Sequence, residues 1–371
     1  MLPISRFRCK YTKVLPFYCL IALFSSAVHS DNISVTPYIV NGNDATVSDY
    51  GDFTSLFYDR INYDGVYGTG AFCGATALNS QYILTAAHCL HDGSGNLDDY
   101  ALFTSVVPNL QTETSWPNGI SEKQTVSEIY IHPDYDDSSS TLWQNDIAIL
   151  KLDAPLSGTN SIQRPINESY QNSSNTFMTI GHGNNTSGVD SEIELQEVML
   201  GYVSEASCQS IWSRITDLQI CFSGTYDNTS TLYDSTCQGD SGGPVYWDEY
   251  GDGSSYIQVG ITSFGPSTCG TAVGSADVTS VFTEVYDYEA WIDAVLNGVT
   301  PASYTVTEVA KYACINNSSN CTIDYGNGSS SFLVEESESD DDESSSGGGS
   351  MGWGTLLLLV GFRWIRNATV T

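Results

Sequence analysis

The feature that most constrains the fold is a series of short apolar runs between residues 39 and 285, separated by Gly, Asn, Asp and Ser. They are rich in Val, Ile, Thr, Tyr and Phe, as in TSLFYDRI, YILTAAHC, SEIYIHP, DIAILKL, ELQEVMLGYV and IQVGITSF. Many short strands at close spacing predict an antiparallel barrel or sandwich rather than a parallel α/β fold. One late helix is expected in YEAWIDAVLNG, which places Trp291, Ile292, Val295 and Leu296 on one stripe before Gly298.

Residues 1–30 have the pattern of an export signal. Basic residues precede the apolar run VLPFYCLIALF, and small residues follow it in SSAVHS. The apolar core is about 11–15 residues long, whereas a membrane-spanning helix needs roughly 20. We therefore predict a signal peptide that is removed near Ser30, rather than a membrane anchor.

The charge of the chain excludes one class of partner. The chain has 12 Lys and Arg against 44 Asp and Glu, a formal net charge of −32. Such a surface repels phosphate groups, so nucleic acid is not an expected partner.

The cysteine count agrees with export. Of the 10 cysteines, Cys9 and Cys19 leave with the signal, and the even number that remains predicts disulfides without fixing their pairing. No cysteine or histidine spacing is typical of a zinc site, so we expect neither a metal nor another cofactor.

Three short motifs carry the chemistry. TAAHC places His88 before a cysteine, NDIAIL places Asp146 at the start of an apolar strand, and CQGDSGGP places Ser241 in a glycine-rich turn. Taken alone, His88 is equally well explained as a structural histidine and Asp146 as a turn residue, whereas CQGDSGGP is long enough to be specific. The alternative acids, none of which lies in such a motif, are Asp136, Asp137 and Asp153.

The order His, Asp, Ser, preceded by IVNG, resembles the chymotrypsin family (trypsin-like) of serine proteases from about Ile39 to Gly298. The resemblance implies two packed antiparallel six-stranded β-barrels with the active site in the cleft between them. It assigns His88 as general base and acid, Asp146 as the residue that orients the imidazole, and Ser241 as nucleophile. The amides of Gly239 and Ser241 would form the oxyanion hole.

The same resemblance implies a pairing of the cysteines, and the chain departs from the family pattern at one aromatic position. It joins Cys73 to Cys89, Cys208 to Cys221, and Cys237 to Cys269, while the remaining two cysteines, Cys314 and Cys321, most simply pair with each other. The Gly-Trp-Gly of the family is Gly-His-Gly here, so we interpret His182 as a replaced structural aromatic rather than a second catalytic histidine.

The resemblance also implies a specificity pocket beside the serine. The residue six positions before Ser241 usually forms its base, and here it is Ser235, where trypsin-like members have Asp. One wall would come from Ser263, Phe264 and Gly265, and the opposite wall lies near Ser280. A neutral base predicts a preference for Tyr, Phe, Leu or Met before the scissile bond. The alternative is an Arg or Lys preference, restored if either of two nearby acids reaches the pocket, Asp234 or Asp277.

Activation is expected at an unusual residue. Tyr38 precedes IVNG where most relatives have Arg or Lys. The resemblance implies that cleavage after Tyr38 frees the amine of Ile39, which pairs with Asp240. The predicted pocket would accept a tyrosine, so we expect activation by the enzyme itself or by a similar protease. Residues 31–38 are then a propeptide, and 39–298 are the protease domain.

The amino-acid composition of the chain changes after Gly298. A short disulfide-containing extension, 299–333, is followed by an acidic Ser/Gly linker, 334–350, and an apolar tail, 351–371, with terminal arginines. The cluster of glycines, the short apolar run and the basic end resemble the bacterial GlyGly-CTERM (rhombosortase) sorting signal. This implies transient membrane association, removal near Gly347–Ser350 by a rhombosortase-like protease, and transport by type II secretion to the surface or medium of a Gram-negative bacterium. The alternative is a permanent anchor, although about 12 apolar residues are short for a span.

Together these patterns predict a secreted serine endopeptidase acting on protein or peptide substrates. A catalytically silent adhesin or binding module is one alternative, against which the intact His88, Asp146, Ser241 and Asp240 count. An esterase or lipase should instead show a G-x-S-x-G turn and the order Ser, Asp, His. DGSGNLDD at 92–99 faintly resembles a calcium loop but lacks the spaced glycine and distal Glu, so we do not expect calcium.

Overall fold

The fold was analysed in a computed structural model that describes residues 39–185, 187, 194–316, 321, 323–324 and 331–332. The predicted signal peptide, the propeptide with Tyr38, the acidic linker and the sorting tail lie outside these residues. No helix in the described ranges is both long enough and apolar enough to cross a membrane.

Strands account for most of the regular structure. In chain order they are β1 (Asn43–Asp44), β2 (Phe53–Arg60), β3 (Val66–Tyr67), β4 (Cys73–Ala77), β5 (Tyr82–Thr85), β6 (Thr104–Pro108), β7 (Gln124–Ile131), β8 (Ala148–Leu152), β9 (Thr176–Gly181), β10 (Gln196–Val203), β11 (Gln219–Ser223), β12 (Tyr226–Asp227), β13 (Leu232–Tyr233), β14 (Pro244–Asp248), β15 (Tyr256–Phe264), β16 (Val278–Glu284), β17 (Tyr304–Thr305), β18 (Ile323–Asp324) and β19 (Ser331–Phe332). The α-helices are α1 (Asp99–Leu102), α2 (Glu205–Ile211), α3 (Glu289–Leu296) and α4 (Glu308–Asn316). Short 3-10 helices span Val47–Asp49, Ala87–Leu90, Glu113–Ser115 and Val285–Tyr288.

The first barrel is a closed antiparallel sheet of six strands in the order β2, β4, β5, β8, β7, β6. Pairing of β7 with β8, in which Ile129 faces Leu150, and of β6 with β2 closes the circle. Alternate residues point inward, and the interior is filled by fully buried side chains that include Leu56, Ile83 and Ile149.

The second barrel repeats this plan with β10, β11, β16, β15, β14 and β9, closed by the pairing of β9 with β10. Its interior includes Phe177, Phe222 and Phe282, all fully buried. The predicted all-β fold of two six-stranded barrels is therefore confirmed.

The predicted C-terminal helix is also confirmed, as α3. Ile292 and Val295 are fully buried and belong to the core cluster of the first barrel. The helix ends where the sequence indicated, because Gly298 adopts a φ of 68° and its N–H donates to the carbonyl of Val295.

Candidate active site

Strand pairing brings His88 and Asp146 together. His88 lies in the 3-10 helix that follows β5, and Asp146 lies just before β8. Because β5 and β8 are antiparallel neighbours in which Thr85 faces Ala148, the end of one strand meets the start of the other. The disulfide between Cys73 and Cys89 fixes the histidine segment to β4.

The Asp146 carboxylate is completely buried and holds the histidine in two ways. Its Oδ2 lies 2.7 Å from His88 Nδ1, and its Oδ1 accepts a hydrogen bond from the His88 backbone N–H at 2.9 Å. These bonds fix the imidazole so that Nδ1 carries a proton and Nε2 is left to act on the nucleophile.

The second barrel holds the same aspartate. The Ser263 hydroxyl in β15 donates to Asp146 Oδ2 at 2.5 Å, and the Thr283 hydroxyl in β16 donates to the Asp146 carbonyl at 2.8 Å. A buried carboxylate needs such donors, because an unpaired charge in the protein interior costs several kcal/mol.

These contacts set the protonation of the pair. Burial by itself would lower the pKa of His88, but the charge of Asp146 and its hydrogen bond raise that pKa above its ordinary value. Burial would likewise raise the pKa of Asp146, but His88 and the hydrogen bonds from Ser263 and the His88 amide hold that pKa below its ordinary value. Asp146 therefore stays ionised while His88 gains and loses a proton.

Ser241 lies in a tight turn before β14 that docks on the first barrel. Its carbonyl accepts a hydrogen bond from the Gly74 N–H at 2.8 Å. Gly242 has a φ of 75°, and a Cβ there would lie 2.1 Å from Thr85 Oγ1, so only glycine fits. The turn that carries the serine therefore lies at the junction of the barrels, against β4 and the end of β5.

The amides predicted for the oxyanion hole are free to bind substrate. Neither Gly239 N–H nor Ser241 N–H donates to another residue in the described part of the chain. Gly239 has a φ of 104°, and a Cβ there would lie 2.8 Å from the Cα of Gly183. This crowding, together with the positive φ, requires glycine at the turn that carries the two amides.

Asp240 is buried beneath the serine. Its Oδ1 accepts a hydrogen bond from Gly183 N–H at 2.9 Å and its Oδ2 one from Cys237 N–H at 2.8 Å. No Lys or Arg in the described ranges pairs with it, and burial raises its pKa to about 7. Ile39 is also fully buried, and Val40 N–H donates to the carbonyl of Ser235 at 3.0 Å.

A cavity of about 220 Å³ opens beside Ser241. Of the predicted pocket residues, Ser263 and Gly265 line it, whereas Ser235 and Ser280 are fully buried and are not among its lining residues. The Ser235 hydroxyl accepts from Gly270 N–H at 2.8 Å. Phe264, predicted in the same wall segment, also lines the cavity, whereas sequence reasoning missed Thr236, Gln238 and Thr279.

The hydroxyl of Ser280 is used within the protein. It accepts hydrogen bonds from the N–H and the hydroxyl of Thr236, at 3.1 and 3.0 Å. The two side chains thus form a hydroxyl pair behind the cavity wall.

Asp234 and Asp277, the two acids that would favour Arg or Lys in the pocket, do not line the cavity. Asp234 Oδ1 accepts from the Asn41 side-chain amide and its Oδ2 from Thr225 N–H, both at 3.2 Å. Asp277 lies in an exposed turn with a φ of 50°. Among the described residues that line the cavity, none is acidic.

His182 lies in the core rather than in the cleft. It is buried, its Nδ1 is 3.3 Å from the Ser55 hydroxyl, and its ring centroid is 6.0 Å from that of Phe53. Burial lowers its pKa to about 4, so the ring is neutral near pH 7. These contacts agree with a structural role.

The cysteines of the described residues are paired in disulfides, which also bears on metal binding. The structure contains the four expected disulfides, which are Cys73–Cys89, Cys208–Cys221, Cys237–Cys269 and Cys314–Cys321. Within the described residues, one group has the spacing of metal ligands, namely Cys73, His88 and Cys89. Its two sulfurs are bonded to each other, so they are not thiolate ligands.

Comparison with known proteins agrees with this geometry. The family model described as Trypsin matches residues 53–292. Trypsin-1 of Astacus astacus is 30% identical over 262 residues, covering 69% of this chain and 99% of that protein. Brachyurin of Leptuca pugilator is 29% identical over 265 residues, covering 71% and 100%. The match to the CLIP domain-containing serine protease HP8 of Bombyx mori, 30% identical over 249 residues, covers 62% of this chain and 63% of that protein.

A solved structure shows the same fold. Neuropsin, a serine protease expressed in the limbic system of mouse brain, has a TM-score of 0.55 and 22% identity, covering 70% of this chain and all of that chain. The paired His88 and Asp146, the serine turn and the family match lead to one conclusion. The chain belongs to the trypsin family of serine proteases and is a serine endopeptidase.

Proposed function

We propose that this endopeptidase is made as a secreted zymogen and, once activated, cleaves peptide bonds after large uncharged side chains. The observation that carries the preference is the absence of an acidic side chain from the described residues that line the cavity beside Ser241. Arg or Lys bound there would lose water without gaining a counter-ion, which is unfavourable. A cavity of about 220 Å³ has room for an aromatic ring, whose burial is favourable.

The proposed reaction gives His88, Asp146 and Ser241 the roles that the sequence motifs predict, and the His88–Asp146 pair supports it. His88 accepts the proton of Ser241 Oγ as that oxygen attacks the substrate carbonyl carbon. The resulting oxyanion receives hydrogen bonds from the amides of Gly239 and Ser241, and His88 then protonates the leaving amine. A water molecule, deprotonated by His88, then attacks the acyl carbon, and the ester bond to Ser241 breaks as His88 returns the proton to Ser241 Oγ, releasing the acid and the free enzyme.

Peptides that differ only in the residue before the scissile bond test this preference. We expect activated enzyme to give a higher kcat/KM with Tyr or Phe than with Arg or Ala at that position, and the Ser241→Ala variant to give no cleavage. A higher kcat/KM for Arg would refute the proposed preference and indicate that Asp234 or Asp277 reaches the cavity.

Activation after Tyr38 is part of the proposal. Asp240 is fully buried, receives two N–H donors and has no Lys or Arg partner among the described residues, so it is a suitable site for a cation, which the amine of Ile39 would supply. If active enzyme is mixed with intact Ser241→Ala zymogen, we expect a new N-terminus at Ile39. Zymogen that stays intact would exclude self-activation and require another protease.

The predicted route of export completes the proposal. Residues 1–30 would direct the chain to the periplasm of a Gram-negative bacterium, and type II secretion with rhombosortase-like processing of the tail would deliver it to the surface or medium. Mass spectrometry of the exported protein tests this route, because removal of the tail should place the C-terminus near Gly347–Ser350. An intact C-terminus would support the alternative of a permanent anchor.

A further inference from the structure

Residues 299–316 follow the range matched by the family model and fold back onto the first barrel. Strand β17 pairs with β7, with Tyr304 facing Ile129. Flanking hydrogen bonds extend this contact, since Ser303 N–H donates to the carbonyl of Ile129 at 2.8 Å and Val306 N–H donates to that of Ser127 at 2.9 Å. The segment is therefore an integral part of the barrel surface.

Helix α4 continues the contact. Ala310 and Cys314 are buried in the core cluster of the first barrel. The hydroxyl of Tyr63, in the turn after β2, donates to the Glu308 carboxylate, with oxygen distances of 2.8 and 2.9 Å. The Lys311 ammonium lies 5.8 Å from the centre of the Tyr63 ring. Tyr63 is thus held by the helix from several sides.

Tyr63 is part of a continuous series of aromatic rings, which we name the aromatic ladder. Successive ring centroids are 5.5, 5.6, 5.8, 5.0 and 4.6 Å apart, within the range in which tilted and edge-to-face rings attract each other. From α4 inward, the rings belong to Tyr312, Tyr63, Phe103, Tyr58, Tyr100 and Phe72.

The inner end of the ladder reaches backbone that touches the catalytic residues. Phe72 directly precedes Cys73, whose disulfide holds Cys89 next to His88. Two residues beyond Phe72, the N–H of Gly74 donates to the carbonyl of Ser241 at 2.8 Å. A shift of this segment would therefore move the serine relative to the histidine.

We propose that Tyr63 and Tyr312 are positioning residues for the endopeptidase reaction, acting through the aromatic ladder on the Phe72–Gly74 backbone. Close-packed rings leave little free volume, so the loss of one ring allows its neighbours to relax. A small misplacement of reacting groups lowers the rate of the chemical step while leaving substrate binding largely intact. The segment after the family domain thereby contributes to catalysis without contacting substrate.

The test compares full-length, activated Tyr63→Ala, Tyr63→Phe and Val309→Ala variants with the wild type. Val309 is on the same helix but is 78% exposed, so its truncation is the matched control. The concentration of competent sites is measured with a serine-directed phosphonate, and kcat and KM are measured below the unfolding transition of each variant. Dividing the rate by the titrated sites removes any effect of misfolded protein.

We expect Tyr63→Ala to lower kcat per titrated site by about threefold to tenfold with KM unchanged. Tyr63→Phe keeps the ring and should stay within about twofold of the wild type, as should Val309→Ala. An unchanged kcat per site in Tyr63→Ala, with only a lower melting temperature or fewer titrated sites, would overturn the proposal. An equal fall of kcat in Val309→Ala would overturn it as well.

A second variant keeps the test decisive if Tyr63→Ala does not fold. Tyr312 is 55% exposed at the outer end of the ladder, so Tyr312→Ala leaves the core in place. We expect its kcat per site to fall by about twofold to threefold. A kcat equal to that of the wild type in Tyr312→Ala would exclude a positioning role for the outer ladder.

Discussion

Glu284, at the end of β16, gives a stability prediction whose magnitude depends on pH. Its side chain is almost fully buried, and its Oε1 accepts hydrogen bonds from the Tyr170 hydroxyl and the Gln171 amide. Burial raises the pKa of Glu284 to about 7, the two hydrogen bonds oppose the rise, and the charges of Asp287 and Glu168 add to it. A glutamine would keep an acceptor oxygen for both donors and would remove the charge.

The magnitude follows from the two pKa values. The difference between about 7 in the folded protein and 4.5 for an ordinary glutamate corresponds to ~3 kcal/mol. A carboxyl group whose pKa is raised on folding favours the folded state below its unfolded pKa and loses that contribution as the pH rises through the folded value. Glu284→Gln should therefore increase the free energy of unfolding by up to ~3 kcal/mol near pH 8 and by almost nothing near pH 4.

Urea unfolding followed by fluorescence measures this difference. Both proteins carry Ser241→Ala, so that self-digestion does not distort the transition, and each is unfolded near pH 4 and near pH 8. Tyr170→Phe, which removes one of the donors to Glu284, is the matched control and should destabilise the protein most above pH 7, where the carboxylate is ionised. The same change in stability for Glu284→Gln at both pH values would refute the reasoning, because a packing effect does not depend on the charge of this group.

Three further predictions concern the catalytic residues. The base His88 must be neutral and its pKa is raised, so kcat/KM should fall with decreasing pH through a midpoint above 6.5; a pH–rate profile with a lower midpoint would contradict this. Ser263→Ala removes a charge-assisted hydrogen bond to Asp146, worth ~1.5–3 kcal/mol, and should lower kcat by about tenfold or more, whereas Ser263→Thr should retain more activity. Gly242→Ala should abolish cleavage of peptide substrates and destabilise the fold, because its Cβ would lie 2.1 Å from Thr85 Oγ1; normal phosphonate labelling of this variant would contradict the expected distortion.

The sequence was most informative where function depends on contiguous residues. TAAHC, NDIAIL and CQGDSGGP each place one catalytic residue in a local turn or strand end, and the barrel topology then brings the first two together. The pairing of His88 with Asp146 needs only the alignment of β5 with β8. The glycine-rich turn likewise fixes Gly239 and Ser241 by its own backbone.

The lining of the cavity was harder to predict from the sequence. Successive residues of an extended segment point to opposite sides, so a shift of one position decides which side chain faces the cavity. Thr236 and Thr279 line it, whereas their neighbours Ser235 and Ser280 do not. Counting back from Ser241 identifies the segment but not the direction of each side chain.

The segment after Gly298 was predicted only as a short extension with a disulfide. Strand β17 has two residues, too few to show an alternating pattern. In α4 the buried positions include Lys311, a charged residue that interrupts the apolar stripe, so the sequence pattern does not predict a helix there. Contacts with distant residues such as Tyr63 and Ile129 hold this segment in place. No local sequence pattern predicts these contacts.

The attachment of Asp146 to both barrels has a consequence for biosynthesis. The chain completes β8 and the aspartate long before it reaches Ser263 and Thr283, which supply two of the hydrogen bonds to that residue. Until the Ser263 hydroxyl is in place, the carboxylate lacks one of the hydrogen bonds that hold its pKa below the ordinary value. The set of hydrogen bonds to Asp146 is thus completed only after β15 and β16 of the second barrel have been synthesised. A fragment that ends before β15 therefore lacks one of the hydrogen bonds to the Asp146 carboxylate.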